Sequence, residues 1–342
     1  MLLIMPLGVA YPVVVDDLYV AEVLVADESS RQLRNGARAG LLQVLVRVSG
    51  TLEVEESSLV RSSLRNPTAY YYQYSYETTD QTLLLGESEV SAKILRLHFE
   101  PSAIARLLRD ANLPIWGNNR PSALLWVAVS EGQSRRILGE ADASEVVAVL
   151  VDQARLRGLP VTFPILDIED ASQVSAAEVW GAFLERIDGA SDRYNPDSVL
   201  TARIQGEQGE RWLGRWSYRT ADAWESLESA GYSSDELIRG MVNHLADVLA
   251  GRFALGSSRA RIRLKVENVE NVTQYAAVTR YLEELTPVVS SSIVALDGDI
   301  AEFELDTEGQ YLQLIEIIKL DERLLLLSKD ERNEKLRYRW TE

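Results

Sequence analysis

Asp167, Glu169 and Asp170 set three carboxylates within four residues of chain. They follow an apolar run, Val161 to Leu166, that reads as a strand. Ligands in α/β sheets tend to bind at the carboxyl ends of strands. Three carboxylates there could hold Ca²⁺ or Mg²⁺, which prefer oxygen ligands, or serve a hydrolase as acid/base groups. No calcium-loop spacing accompanies them. The competing reading is structural: the three residues open a loop and cap the next helix.

Tyr70, Tyr71, Tyr72, Tyr74 and Tyr76 form the densest aromatic cluster. On a regular strand Tyr70, Tyr72, Tyr74 and Tyr76 share one face and Tyr71 takes the other. Tyrosines in line could stack a sugar or make a protein contact, since tyrosine is enriched at interfaces. The alternative is core and edge packing, because aromatics suit strands.

The rest of the chain is poor in reactive side chains. It has no cysteine and two histidines, His98 and His244, neither with a second histidine at metal-ligand spacing. Gly-x-Ser-x-Gly, the P-loop pattern and Gly-x-Gly-x-x-Gly are all absent. No catalytic set, metal site or cofactor is therefore expected, and both histidines read as structural.

The elements that would position these residues fall into three modules of helices packed on mixed sheets, an α+β or α/β chain. The first spans 11–113. Leu33, Ala37, Leu41, Val44, Leu45 and Val48 recur on one helical face, with Gly50 as the stop. Two strands follow, Tyr70 to Tyr76 and Val90 to Phe99, and then a helix from Pro101. Pro114, Gly117, Asn118, Asn119 and Pro121 mark a boundary. The second module, 121–255, alternates strands (123–129, 161–166, 199–204) with helices (144–157, 175–187, 234–252). The third, 259–342, has the order βαββαβ of a ferredoxin-like unit, with Arg323 to Leu327 as its final strand and Leu336, Tyr338 and Trp340 able to add one more. Its first strand alternates Ala260, Ile262, Leu264 and Val266 with Arg259, Arg261, Arg263 and Lys265. That basic comb should face Glu302 and Glu304 across the sheet, at about 0.2–1 kcal/mol per pair.

The net charge of −17 has no basic segment to offset it, which argues against a nucleic-acid partner. No segment approaches the ~18 apolar residues of a membrane span. Residues 1–10, MLLIMPLGVA, supply the apolar stretch of an export signal, with Gly8-Val9-Ala10 as a small-x-small cleavage site. A basic n-region is missing. The rival reading is a first strand running from Leu2 through Val15, which would leave the protein cytoplasmic.

A set of segments resembles a known family. They are VDDLYVAEV (15–23), QVLVRVSG (43–50), YYYQYSY (70–76), PSALLWVAV (121–129), LDIED (166–170), VWGAF (179–183), RWLGRW (211–216) and LRYRW (336–340). Together they resemble the gammaproteobacterial envelope proteins grouped as domain of unknown function 2066 (DUF2066). The resemblance implies a signal peptide and export to the periplasm, and brings no activity or catalytic residues. The expectation is a periplasmic, non-enzymatic binding or adaptor protein with an envelope protein as partner. The alternative is a carboxylate- or metal-dependent hydrolase acting on envelope material. The candidate binding residues are Tyr70, Tyr72, Tyr74, Tyr76, Asp167, Glu169 and Asp170.

Overall fold

A computed structural model of the chain describes residues 13–15, 17–86, 88–131, 134–206, 211–220, 223–254, 256, 259–285, 287–309, 311–320, 323–330 and 334–341. The proposed signal segment, 1–10, lies outside them. The described residues form two compact units: 13–14 with 119–249, and 15–118 with 250–341. The architecture is mixed α+β.

Strands β1 (Val13–Val14) and β2 (Val20–Val25) precede helix α1 (Ser30–Ser49). Ser29 caps α1, its Oγ accepting from the Gln32 N–H at 3.3 Å, and Gly50 ends it at φ 74. The expected stripe is the buried one: Ala37, Leu41, Val44, Leu45 and Val48 are sealed from solvent. Gly36 lets α1 lie close to its sheet, since a Cβ there would stand 2.6 Å from Leu95 Cδ2. After α2 (Ser58–Ser63) come β3 (Tyr71–Leu85), β4 (Ser88–Phe99) and α3 (Pro101–Asp110). The sheet order is β2-β4-β3, all antiparallel, so β3 is an outer strand.

The 119–249 unit starts with β5 (Asn119–Arg120), which pairs with β1. Next come β6 (Ala123–Glu131), β7 (Ser134–Ile137), α4 (Glu145–Arg157) and β8 (Val161–Thr162). Helices α5 (Ile168–Gln173), α6 (Ala176–Gly181) and α7 (Leu184–Ser191) lead to β9 (Ser198–Gln205), β10 (Trp212–Arg219), β11 (Trp224–Gly231) and α8 (Ser234–Phe253). The sheet runs β11-β10-β9-β6-β7, with β8 beside the start of β6. Leu124, Trp126, Ala128 and Val199 on one face pack against Val174, Val179, Trp180, Ile187 and Ala190 from α5–α7 and the turns joining them. Trp126 is fully buried, and its Nε1 donates to Ser191 Oγ at 2.9 Å. The other face meets α8, whose His244 ring lies 5.0 Å from Trp216 and 5.6 Å from Tyr218. His244 thus packs against these two rings. Two expected elements are shorter than their patterns. The strand expected over 161–166 stops at Thr162, ahead of Pro164 and of Leu166 at φ 61. The helix expected over 175–187 breaks at Ala182, which takes a left-handed conformation at φ 54.

The last group is β12 (Arg259–Glu267), α9 (Val272–Glu284), β13 (Val288–Asp297), β14 (Ile300–Glu308), α10 (Tyr311–Lys319), β15 (Leu324–Asp330) and β16 (Lys335–Trp340), in the sheet order β13-β14-β12-β16-β15. The βαββαβ order is present, and the further strand at Leu336, Tyr338 and Trp340 forms as β16. One departure from a ferredoxin-like sheet is that β16 enters between β12 and β15, parallel to β12, leaving β15 as an edge strand antiparallel to it. Alternation decides this: Leu336, Tyr338 and Trp340 are buried, whereas β15 is exposed beyond Leu324. Three residues of the basic comb, Arg261, Arg263 and Lys265, are paired as expected. Lys265 Nζ lies 3.3 Å from Glu302, Arg263 lies 3.8 Å from Glu304, and Arg261 lies 3.3 Å from Asp306.

Candidate functional site

The loop after β8 turns at Leu166, and Asp167 becomes the N-cap of α5, its Oδ1 accepting from the Asp170 N–H at 3.0 Å. The turn that follows α7 brings Arg193 and Tyr194 to the same place. Arg193 Nη1 donates to Asp167 Oδ1 at 2.8 Å and Nη2 to Asp167 Oδ2 at 3.0 Å. Nη1 also reaches Asp170 Oδ1 at 3.1 Å and stands 3.6 Å from Glu169. Asp170, only 1% exposed, spends its second oxygen on the Tyr194 hydroxyl at 2.6 Å and the Leu166 N–H at 2.8 Å. Tyr194 in turn accepts from the Ile165 N–H at 2.9 Å. Every carboxylate of the cluster therefore has a cationic partner.

Charge follows from that geometry. The Arg193 hydrogen bonds, seconded by the Asp170 N–H, hold the Asp167 carboxyl well below the usual carboxylate range. Burial, then the hydrogen bond to Asp170, pushes the Tyr194 phenol up to about 12. A carboxylate so deeply ionised has no proton to give near neutrality. Among the described residues, no group of three or more carboxylate or histidine side chains is arranged to hold a metal ion. The structure brings Asp167, Glu169 and Asp170 together as a capped, arginine-locked turn. Sequence reasoning missed Arg193 and Tyr194, because the contact with Asp167 closes across 26 residues and no local spacing announces it.

The tyrosine cluster is real but not one-faced. Tyr70 lies outside β3, at the end of a short 3₁₀ turn, and its hydroxyl meets Ser63 Oγ at 2.7 Å. A β-bulge then sets in: Tyr71 pairs with Phe99 and Gln73 with His98, leaving Tyr72 as the extra residue. The bulge inverts the alternation beyond it. Tyr71, Tyr74 and Tyr76 accordingly follow one another edge to face, at 6.1 and 5.9 Å between ring centroids. Tyr71 also meets the Phe99 ring at 6.2 Å. Burial raises the phenol pKa of Tyr71 and Tyr76 above its ordinary value. Tyr72 is left beside the His98 ring, 6.1 Å away, and is 65% exposed. The expectation of one face shared by Tyr70, Tyr72, Tyr74 and Tyr76 is thus corrected: the bulge separates Tyr72 from Tyr74 and Tyr76.

Residues 13–117 match a family model described as Domain of unknown function (DUF8605). This overturns the resemblance to domain of unknown function 2066. The segments at 15–23, 43–50 and 70–76 that carried it fall inside the new match and overlap β2, the end of α1 and the start of β3. Strand and helix patterns of that kind recur in many sheets. No curated protein matches the chain. A solved structure, SeMet-substituted Kluyveromyces lactis allophanate hydrolase, is similar at 9% identity and a TM-score of 0.17, covering 81% of this chain and 67% of that one. Such an overlap does not amount to a shared fold.

Proposed function

We propose that this chain is a non-enzymatic binding or adaptor protein of the cell envelope, and that β3 is its contact element. The observation that supports this reading is the outer position of β3. It is a 15-residue strand paired, among the described residues, on one side only, by β4, and it exposes Tyr72 (65%), Tyr74 (46%), Leu84 (77%) and Leu85 (50%). An outer strand presents unpaired backbone donors and acceptors, and extended segments of partner proteins add to such edges. The proposed occupant is an extended segment of an envelope protein. Its backbone would supply hydrogen bonds, and its side chains would pack on Tyr72 at one end and Leu84 at the other.

Export is part of the proposal and rests on the apolar MLLIMPLGVA start. No helix among the described residues is long and apolar enough to cross a membrane. The hydrolase alternative needs a carboxylate free to bind metal or move a proton, and Arg193 engages all three candidates.

Affinity capture from crosslinked envelope extract tests the reading. A stoichiometric partner that is lost with Tyr72→Ala and with Leu84→Asp, in variants of wild-type circular dichroism, is expected. Capture unchanged by both substitutions, or no partner above background, would overturn it. Mass measurement of the N-terminus in fractionated cells tests export: an intact Met1 in the cytosol rules it out.

A further inference from the structure

The sheet of the 119–249 unit carries a second feature, independent of β3. Arg203 on β9 stands directly opposite Arg215 on β10. Like charges at directly opposed positions oppose each other, so the arrangement needs compensation. Helix α6 overhangs this part of the sheet, and between them lies a narrow cleft, partly open to solvent, with room for about one water-sized group such as a single oxyanion oxygen. Its walls include Val179, Trp180, Thr201, Arg203, Arg215 and Ser217.

A third guanidinium, that of Arg135 on β7, sits over the Trp180 ring at 4.5 Å from its centroid. Arg203 approaches the same ring at 5.8 Å and donates to the Trp180 carbonyl at 3.3 Å. Of the three arginines only Arg215 has a carboxylate partner among the described residues, the exposed Glu228. The cleft therefore concentrates positive charge in a chain whose net charge is −17. Cation–π contact with Trp180 orients two of these guanidiniums without neutralising them.

The wall has an unmet polar group as well. Thr201 is 1% exposed, and its Oγ1 has no hydrogen-bond partner among the described residues. Its cross-strand neighbour Ser217 is already committed to Ser226, at 2.7 Å between hydroxyl oxygens. A buried hydroxyl without a partner is costly unless something completes it. Guanidinium groups recognise planar and tetrahedral oxyanions through paired N–H donors.

We propose that this cleft binds a small oxyanion, a carboxylate or a phosphate, held by Arg203 and Arg215, with Thr201 Oγ1 as an additional donor and Trp180 as the apolar wall. Arg135 adds long-range attraction and holds the indole in place. The two sources share one chemistry and differ in shape, so the test has two arms.

The full chain is titrated at low ionic strength with inorganic phosphate and, separately, with benzoate. Heat and tryptophan fluorescence are followed. Saturable binding of a single equivalent in at least one arm is expected. Arg203→Gln and Arg215→Gln should each weaken it about tenfold or more. Thr201→Val should weaken it less, while raising the melting temperature of the ligand-free protein, because it removes the unmet hydroxyl. That opposed pair of effects is one that a purely structural role for Thr201 does not give. Arg261→Gln, in the paired comb of β12, should bind like wild type. Phosphate binding alone points to a phosphorylated ligand, and benzoate binding alone to a carboxylate carried on an apolar body. The proposal is overturned if neither anion binds saturably. It is also overturned if Arg203→Gln and Arg215→Gln bind as wild type, or if Arg261→Gln weakens binding as much as they do.

Discussion

Arg193 holds Asp167 by both carboxylate oxygens, Nη1 to Oδ1 at 2.8 Å and Nη2 to Oδ2 at 3.0 Å. A bidentate pair of this kind fixes geometry as well as charge. It turns the chain's most metal-like acidic sequence into a helix cap. Titration with Ca²⁺ and Mn²⁺ should give no saturable heat and no shift in melting temperature for the wild type. A saturable signal that disappears with Asp167→Asn would return the loop to the hydrolase reading.

The same cluster sets both limbs of the stability profile. Asp167 is held well below the usual carboxylate range. As pH falls below about 3.9 the unfolded chain takes up this proton before the native one does, so stability is lost toward acid. Asp167→Asn should flatten that limb. Tyr194, pushed up to about 12, works in the opposite sense. Unfolded phenols ionise near ~10, so its contribution is complete below that pH and is lost as pH rises from there toward 12. Tyr218, raised to about 12 by burial and its bond to Glu225, adds to the same limb. Urea midpoints measured across pH should show a shallower alkaline limb in Tyr194→Phe. At neutral pH that variant should lose about 1–2 kcal/mol, because the buried Asp170 oxygen loses a donor. An alkaline limb as steep as wild type would contradict the assignment.

Glycines in the helices separate close approach from mere tolerance. A Cβ on Gly36 would meet Leu95 Cδ2 at 2.6 Å and Val25 Cγ1 at 3.1 Å, both in the sealed core beneath α1. Gly36→Ala should cost about 1–3 kcal/mol, the usual penalty of overpacking. Gly240, exposed on α8, has nothing within 4 Å of such an atom. Gly240→Ala should stabilise by about 0.5–1 kcal/mol through helix propensity alone. Thermal melts of the two variants should move in opposite directions. A stabilised Gly36→Ala would mean that α1 and the sheet are not in contact there.

The elements legible in the sequence are those with an unbroken local pattern. The stripe from Leu33 to Val48 with Gly50 behind it is α1, and the alternation from Ala260 to Val266 is β12, already aligned with Glu302 and Glu304 through the turn after Asp297. Illegible were the places where one residue changes the count. The bulge at Tyr72 shifts a period-two pattern by one, and no composition around it marks the slip. Ala182 breaks a helix from a left-handed conformation that alanine seldom takes. The candidate site was half legible. The acidic residues and tyrosines stood out by type, but Arg193 and the Arg135–Trp180–Arg203 stack are assembled across the fold from positions far apart in the chain.

The bulge makes a last distinction among neighbouring tyrosines of one strand. Tyr71 is half-buried against Phe99 and the first core, so Tyr71→Ala removes packed aromatic area and should cost about 1–3 kcal/mol. Tyr72 is 65% exposed, so Tyr72→Ala should change stability by no more than about 0.5 kcal/mol. A regular strand would place Tyr72, Tyr74 and Tyr76 together on one face and give a smooth trend along the series. The bulged strand instead puts the step between Tyr71 and Tyr72 and brings a measurable cost back at Tyr76, which packs on the same core. Denaturation of the single alanine variants reads this order directly. Equal costs at Tyr72 and Tyr76 would place both on one face and remove the bulge. Tyr72 would then lose the exposure that makes it the proposed contact residue of β3.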